Sequence, residues 1–165
     1  MDRLWSPWRL AYVTGNKPSS GCVFCDADRP PHPDSLIVHE GVASYVILNR
    51  YPYNNGHLMV VPHRHLDSLS ALTAPELQEV AALVQLCERA LVEAYRPQGI
   101  NVGINVGKAA GAGIHEHLHV HLVPRWGGDT NFMAVVGETR VLPESLGDTA
   151  ARLRPIFTSL TAAPA

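Results

Sequence analysis

Cysteine is scarce: three in 165 residues, too few for the disulfide framework of a small secreted domain. An excess of one charge sign is also missing, since 13 Lys and Arg against 15 Asp and Glu leave a formal net charge of −2. A protein that coats nucleic acid or an anionic membrane surface needs a basic surplus, so neither is expected as a general partner. No run approaches the ~20 apolar residues that span a bilayer. Met1-Asp2-Arg3-Leu4-Trp5 lacks the apolar stretch of a signal peptide, and the expected setting is cytoplasmic. Charged residues make up 17% and hydrophobic residues 46%, a globular balance at a length that suits one domain. Against these shortages stands a surplus of histidine: nine residues, four of them at positions 115, 117, 119 and 121.

Residues 1–35 read as an irregular N-terminal arm, with Trp5, Pro7, Trp8, Gly15, Gly21 and the Pro30–Pro33 stretch. Short β-rich runs follow at Leu36–Val38, Ser44–Leu48 and His57–Val61, with a Pro, Asn and Gly loop at Asn49–Gly56. A long helix is expected from Ala74 to Tyr95. Thr73 and Glu76 stand at capping-box spacing, and Leu77, Val80, Val84, Cys87 and Leu91 recur on one face. Pro97 and Gly99 end it, and Cys87 reads as a core residue. Two more strands are expected at Ile100–Val106 and His117–Val123, a short one at Phe132–Val136, a helix at Glu144–Leu153, then a frayed tail. The fold class is α+β: about five mostly antiparallel strands backed by one long helix, with a short C-terminal helix. The expected division is an arm over 1–35, a central domain over 36–145, and a helix and tail over 146–165.

His117-Leu118-His119-Val120-His121-Leu122-Val123 alternates histidine with aliphatic residues. In a strand, residues two apart share a face, so the aliphatics go to the core and three imidazoles to the other side. That side must meet solvent or a ligand, because three buried imidazoles would each need partners. Such a row can bind a metal, neutralise phosphate or attack an electrophile. Cys22-Val23-Phe24-Cys25 is a CxxC pair, which alone could be a redox pair or half a zinc site. The flanking sequence offers no strand-to-helix junction of the thioredoxin kind.

The histidine row followed by Pro124-Arg125-Trp126 resembles the signature of the histidine triad (HIT) family of nucleotide hydrolases and transferases. Three more stretches extend the resemblance: Leu48–His57, Asn105–Gly113 and Trp126–Phe132. With Arg3–Arg9, the last is similar to the branch that contains diadenosine tetraphosphate phosphorylases and hydrolases. The resemblance implies an enzyme that cleaves adenosine nucleotides, dinucleoside polyphosphates among them, at the α-phosphate. It makes His119 the nucleophile and His121 and His57 the phosphate contacts. A neutral imidazole with a pKa near ~6.5 needs no strong base, provided a carbonyl holds one ring nitrogen as donor and leaves the other lone pair free. Bound phosphate would raise the pKa of His57 and His121 and make them cationic. Asn49 matches a ribose-binding position by the resemblance, whereas the residues alone favour a turn role there. Asn105, Gly111 and Gly113 fall in the phosphate-approach segment, where Ala112 and Gly113 stand in place of the Gly-Gln-Ser or Gly-Gln-Thr of many relatives. His115 reads as a loop residue near the site.

The same resemblance implies a structural zinc held by Cys22, Cys25, His65 and His117, a sensible closed tetrahedral set, with His63 as the fallback ligand. It also implies a homodimer. Two other functions compete: a zinc hydrolase with His117, His119 and His121 as ligands, and a nucleotide sensor without turnover.

Overall fold

Ser44–Leu48 and Leu58–Pro62 are buried along their whole length. Strands that read as continuous apolar runs need cover on both faces, and the fold supplies it. The computed structural model describes residues 21–27, 29–129 and 142–162. Within them run β1 (Ile37–Glu40), β2 (Ser44–Leu48), β3 (Leu58–Pro62), α1 (Ala74–Tyr95), β4 (Gly99–Ile104), β5 (Val120–Arg125) and α2 (Leu146–Ala162). The sheet order is β1-β2-β3-β5-β4, antiparallel throughout. Both helices cover one face, where Val46, Leu48, Val60 and Leu122 meet Leu83, Leu91, Leu153 and Phe157. On the opposite face Phe24, from the CxxC turn, packs on Ile37, Tyr45, Ile47, Met59 and Val61. The two sides of the central strands are thus closed by different parts of the chain.

The long helix has the expected bounds. The Glu76 carboxylate accepts the Thr73 backbone N–H at 2.7 Å and the Thr73 hydroxyl at 2.9 Å, and Arg96 ends the helix at φ 46. Its inner face differs from expectation. Leu77 is exposed, while Leu83 and Ala90 join Val80, Cys87 and Leu91 in the core. Cys87 is buried, and that burial pushes its thiol pKa up.

Three expectations need correction. The C-terminal helix runs through Pro155 to Ala162 instead of stopping at Leu153. Buried Leu153 and Phe157 on either side of the proline anchor it to the core, enough to offset a helix-interior proline. The histidine strand begins only at Val120, so His117 and His119 precede it. His57 likewise lies one residue before β3. The expected strand at Phe132–Val136, the first 20 residues of the arm and the last three of the tail lie outside the described residues.

Candidate active site and metal centre

The loop between β2 and β3 bends back on itself to deliver His57. Asn49 N–H donates to the His57 carbonyl at 2.9 Å, and His57 N–H donates to the Asn54 carbonyl at 3.2 Å. Gly56 turns with φ +74, and a Cβ there would meet Tyr95 at 3.0 Å and Leu91 at 3.2 Å. Only glycine fits this approach to α1 without strain. His57 is fully buried, yet its ring is satisfied on both sides. Tyr53 backbone N–H donates to Nδ1 at 3.1 Å, and Nε2 stands 3.0 Å from His121 Nδ1. A neutral imidazole has one N–H. With Nδ1 accepting, the proton sits on Nε2 and donates to His121 Nδ1, which leaves the His121 proton on its own Nε2.

His119 is fixed in the opposite sense. Its Nδ1 stands 2.8 Å from the His117 carbonyl, an acceptor only, so Nδ1 carries the proton. Among the described residues its Nε2 has no hydrogen-bond partner and keeps a free lone pair. The His119 and His121 rings meet edge to face with centroids 4.7 Å apart, so a ring with a bare nitrogen adjoins a ring that carries an N–H donor.

Burial, then the neighbouring His121 and His119, push His57 down to about 3. Burial and His119 push His121 down to about 4. Burial also lowers His119, opposed by its bond to the His117 carbonyl. With no substrate bound, then, the pocket is neutral, and the cationic state expected of His57 and His121 belongs to the phosphate-bound site. A charged His57 would also lose its bond from the Tyr53 N–H.

His121 opens onto a cleft of about 360 Å³ lined by Tyr53, Asn101, Gly103, Asn105 and Arg125. Gly103 lies opposite His121 in the β4–β5 ladder, and a Cβ there would touch nothing within 4 Å, so the floor beside the imidazole is open. Among the described residues the cleft's one cation, Arg125, is paired with Asp129 at 2.7 Å. A larger groove of about 940 Å³ beside the β1–β2 turn and α1 includes none of these residues.

The expected row of three imidazoles on one face is in fact divided. His117, 1% exposed, turns away from His119 and joins the cysteines. Cys22 Sγ and His117 Nδ1 are 3.3 Å apart, Cys25 Sγ and His65 Nδ1 3.3 Å, and Cys25 Sγ and His117 Nδ1 3.6 Å. Ligands around tetrahedral zinc, with Zn–S of ~2.3 Å and Zn–N of ~2.0 Å, stand about 3.3–3.8 Å apart. His117 Nε2 lies 2.9 Å from the Pro62 carbonyl, which holds the proton there and aims the Nδ1 lone pair at the thiols. Cys22, Cys25, His65 and His117 can therefore hold a metal. Among the described residues, no such cluster forms from His117, His119 and His121. His63, the fallback ligand, is engaged elsewhere: Arg29 donates to its Nδ1 at 3.3 Å, and its Nε2 faces the Gly41 carbonyl at 3.3 Å.

The other expected residues divide as well. Asn105 lines the cleft. Asn49 Oδ1 accepts the Tyr51 N–H at 2.9 Å, which is the turn role. Gly111, at φ +84, caps a short 3-10 turn at Lys108–Ala110 and is exposed, as is Gly113. His115 lies 3.7 Å from the Glu116 carboxylate. Sequence reasoning passed over Tyr53, Asn54, Arg125 and Asp129 as individual residues. Their one signal was their place within the stretches that resembled the family: Tyr53 and Asn54 in Leu48–His57, Arg125 at the end of the histidine row, and Asp129 in Trp126–Phe132.

The HIT domain family model matches residues 31–128. The chain is 41% identical over 157 residues to a Mycobacterium tuberculosis protein named AP-4-A phosphorylase, covering 90% of this chain and 80% of that one. It is 35% identical over 91 residues to the Saccharomyces cerevisiae bis(5'-adenosyl)-triphosphatase, covering 54% and 44%. A crystal structure of a zinc-bound histidine triad family protein from Mycobacterium smegmatis superposes with a TM-score of 0.69 at 28% identity, covering 89% of this chain and all of that one. With the family model matched over more than half of the chain and a relative 41% identical over most of both chains, the chain belongs to the histidine triad family.

Proposed function

We propose that this enzyme cleaves dinucleoside polyphosphates, diadenosine tetraphosphate among them, at the α-phosphorus through a nucleotidyl-histidine. The observation that carries the reading is the opposed fixing of two neighbouring imidazoles. His119 offers a bare Nε2 while His121 offers an Nε2–H. His119 Nε2 attacks the α-phosphorus, a P–N bond forms, and the P–O bond to the departing polyphosphate breaks. His121, backed by His57, donates to a phosphoryl oxygen as charge builds on it. Water or orthophosphate then attacks the same phosphorus and returns His119 to its neutral state. Asn105 in the cleft, with Asn49, Gly111 and Gly113 on the flanking loops, would contact ribose and phosphates.

Cys22, Cys25, His65 and His117 would hold a structural zinc whose four positions are all taken by protein. The metal would pin the CxxC turn to the sheet and leave His119 free. That division argues against a zinc hydrolase built on the histidine row. The three free cysteines fit a reducing, cytoplasmic setting. A homodimer is expected from the family, and β4 is the sheet edge with Val102 exposed. No described helix is long and apolar enough to cross a membrane.

The test is to incubate the protein with diadenosine tetraphosphate, with and without orthophosphate, and identify products and early-quenched protein adducts by mass spectrometry. ATP plus AMP marks hydrolysis, and ADP plus ATP marks phosphorolysis. His119→Ala should lose the adduct and on the order of 10³-fold or more in rate. Full activity in that variant sinks the mechanism, and binding without turnover in the wild type makes the protein a sensor.

A further inference from the structure

Four hydrogen bonds converge on one carboxylate outside the histidine cluster. Asp129 accepts from Arg125 Nε at 2.7 Å and from its terminal nitrogen at 3.2 Å. It also accepts from Asn54 Nδ2 at 2.7 Å and from the Trp126 N–H at 3.3 Å. Asn54 is 8% exposed, and its Nδ2 also donates to the Pro124 carbonyl of β5 at 2.9 Å. The amide of a loop residue thus donates both to the end of β5 and to the turn that follows it. The same residue's carbonyl accepts the His57 N–H, and its neighbour Tyr53 donates to His57 Nδ1.

We propose that Asn54 and Asp129 are positioning residues of the imidazole pair. They hold the Tyr53–His57 bracket against the end of β5, so that His57 keeps a single tautomer and His121 keeps its Nε2–H toward the cleft. The assignment rests on reading the cleft as the phosphoryl-transfer site. The Tyr53 N–H is the one donor to His57 Nδ1 among the described residues, at 3.1 Å. Moving the bracket by about 1 Å breaks this bond, since hydrogen bonds fade beyond ~3.5 Å. His57 is then free to carry its proton on Nδ1 and to turn a bare Nε2 on His121. His121 Nδ1 must in that case carry the proton, and its Nε2 becomes an acceptor facing phosphoryl oxygen. The polarity of the pair reverses, although neither histidine has been altered.

A role limited to closing the turn after β5 would cost stability and leave the tautomers alone, so nitrogen-15 spectra of histidine-labelled protein separate the two roles. The wild type should show Nε2–H tautomers for His57 and His121 and an Nδ1–H tautomer for His119. In Asp129→Ala and Asn54→Ala, His57 and His121 should become mixed while His119, held by the His117 carbonyl, stays unchanged as the internal control for folding. Asp129→Asn keeps an oxygen acceptor for the Asn54 amide and should keep the wild-type signature. With diadenosine tetraphosphate as substrate, kcat of the alanine variants should fall about 10- to 100-fold, the scale of a small misplacement, with KM little changed. Wild-type tautomers in both alanine variants overturn the proposal, whatever their rates. Should Asp129→Ala disturb His119 as well, the smaller change Asn54→Ala decides. The spectra need no turnover, so a failure of the nucleotidyl-histidine reading shows separately, as a missing adduct in the wild type.

Discussion

His57 illustrates what burial does to a titratable ring. Its native pKa of about 3 and that of His121 at about 4 both lie below the ~6.5 of an unfolded histidine. On acidification the unfolded chain therefore takes up protons first, and the pair withdraws stability as pH falls from about 6.5 through the native values. The urea midpoint should drop between pH 7 and 5, above the range where most carboxylates titrate, and His57→Gln should flatten that drop. An equal slope in the variant would place the effect on other groups. Gly56 belongs to the same scale. Gly56→Ala should cost roughly 1–3 kcal/mol for its left-handed backbone, with a further penalty for crowding Tyr95 and Leu91, and should lower the melting temperature. His119 as the residue to test came from the resemblance of the row to the family, not from its spacing. The period of two alone put His117 on the same face, since it cannot foresee that the strand begins at Val120; the family resemblance was what set His117 apart with the cysteines.

Among the elements, the CxxC turn depends most on something besides apolar burial. Phe24 is its one buried side chain, and Tyr45 donates from its hydroxyl to the Phe24 carbonyl at 2.7 Å. Burial, then Cys22, pushes the Cys25 thiol up, so taking a metal there must release thiol protons. Metal analysis of the purified protein should find one zinc per chain, lost in Cys22→Ser and bound more weakly as pH falls. The melting temperature should fall with the metal, by about 2–4 °C for each kcal/mol of stabilisation removed. No zinc in the wild type, with unaltered melting on chelation, would reduce the cluster to two thiols beside two histidines. The long helix was legible to the residue because its cap and its stop are local chemistry. The C-terminal helix was cut short in expectation, since Pro155 is a local stop signal that tertiary burial of Phe157 overrides.

Across the whole molecule, Glu144 joins three parts of the fold that are distant in sequence. It accepts from Tyr95 at the end of α1 at 2.7 Å, from Thr149 on α2 at 3.0 Å, and from Asn55 on the histidine-bearing loop at 3.4 Å. Arg152 adds a salt bridge at 2.8 Å. Glu144→Ala should cost roughly 2–3 kcal/mol, the scale of losing hydrogen bonds to a charged group, measured by urea unfolding; an unchanged midpoint would mean the knot is redundant. Neither this knot nor the Asp129 bracket could be read from the chain, because each is a meeting of residues tens of positions apart with no periodic mark. The α+β class, the five strands and the histidine cluster were readable because they rest on pattern and on motif. The neutrality of the pocket has a kinetic consequence. Its imidazoles are uncharged, the one arginine among its described lining residues is already paired, and the whole chain carries −2. Such a cleft exerts no long-range pull on a polyanion, so capture depends on close contact after random encounter. The second-order rate constant should stay level as ionic strength rises, where a cationic funnel would lose rate steeply.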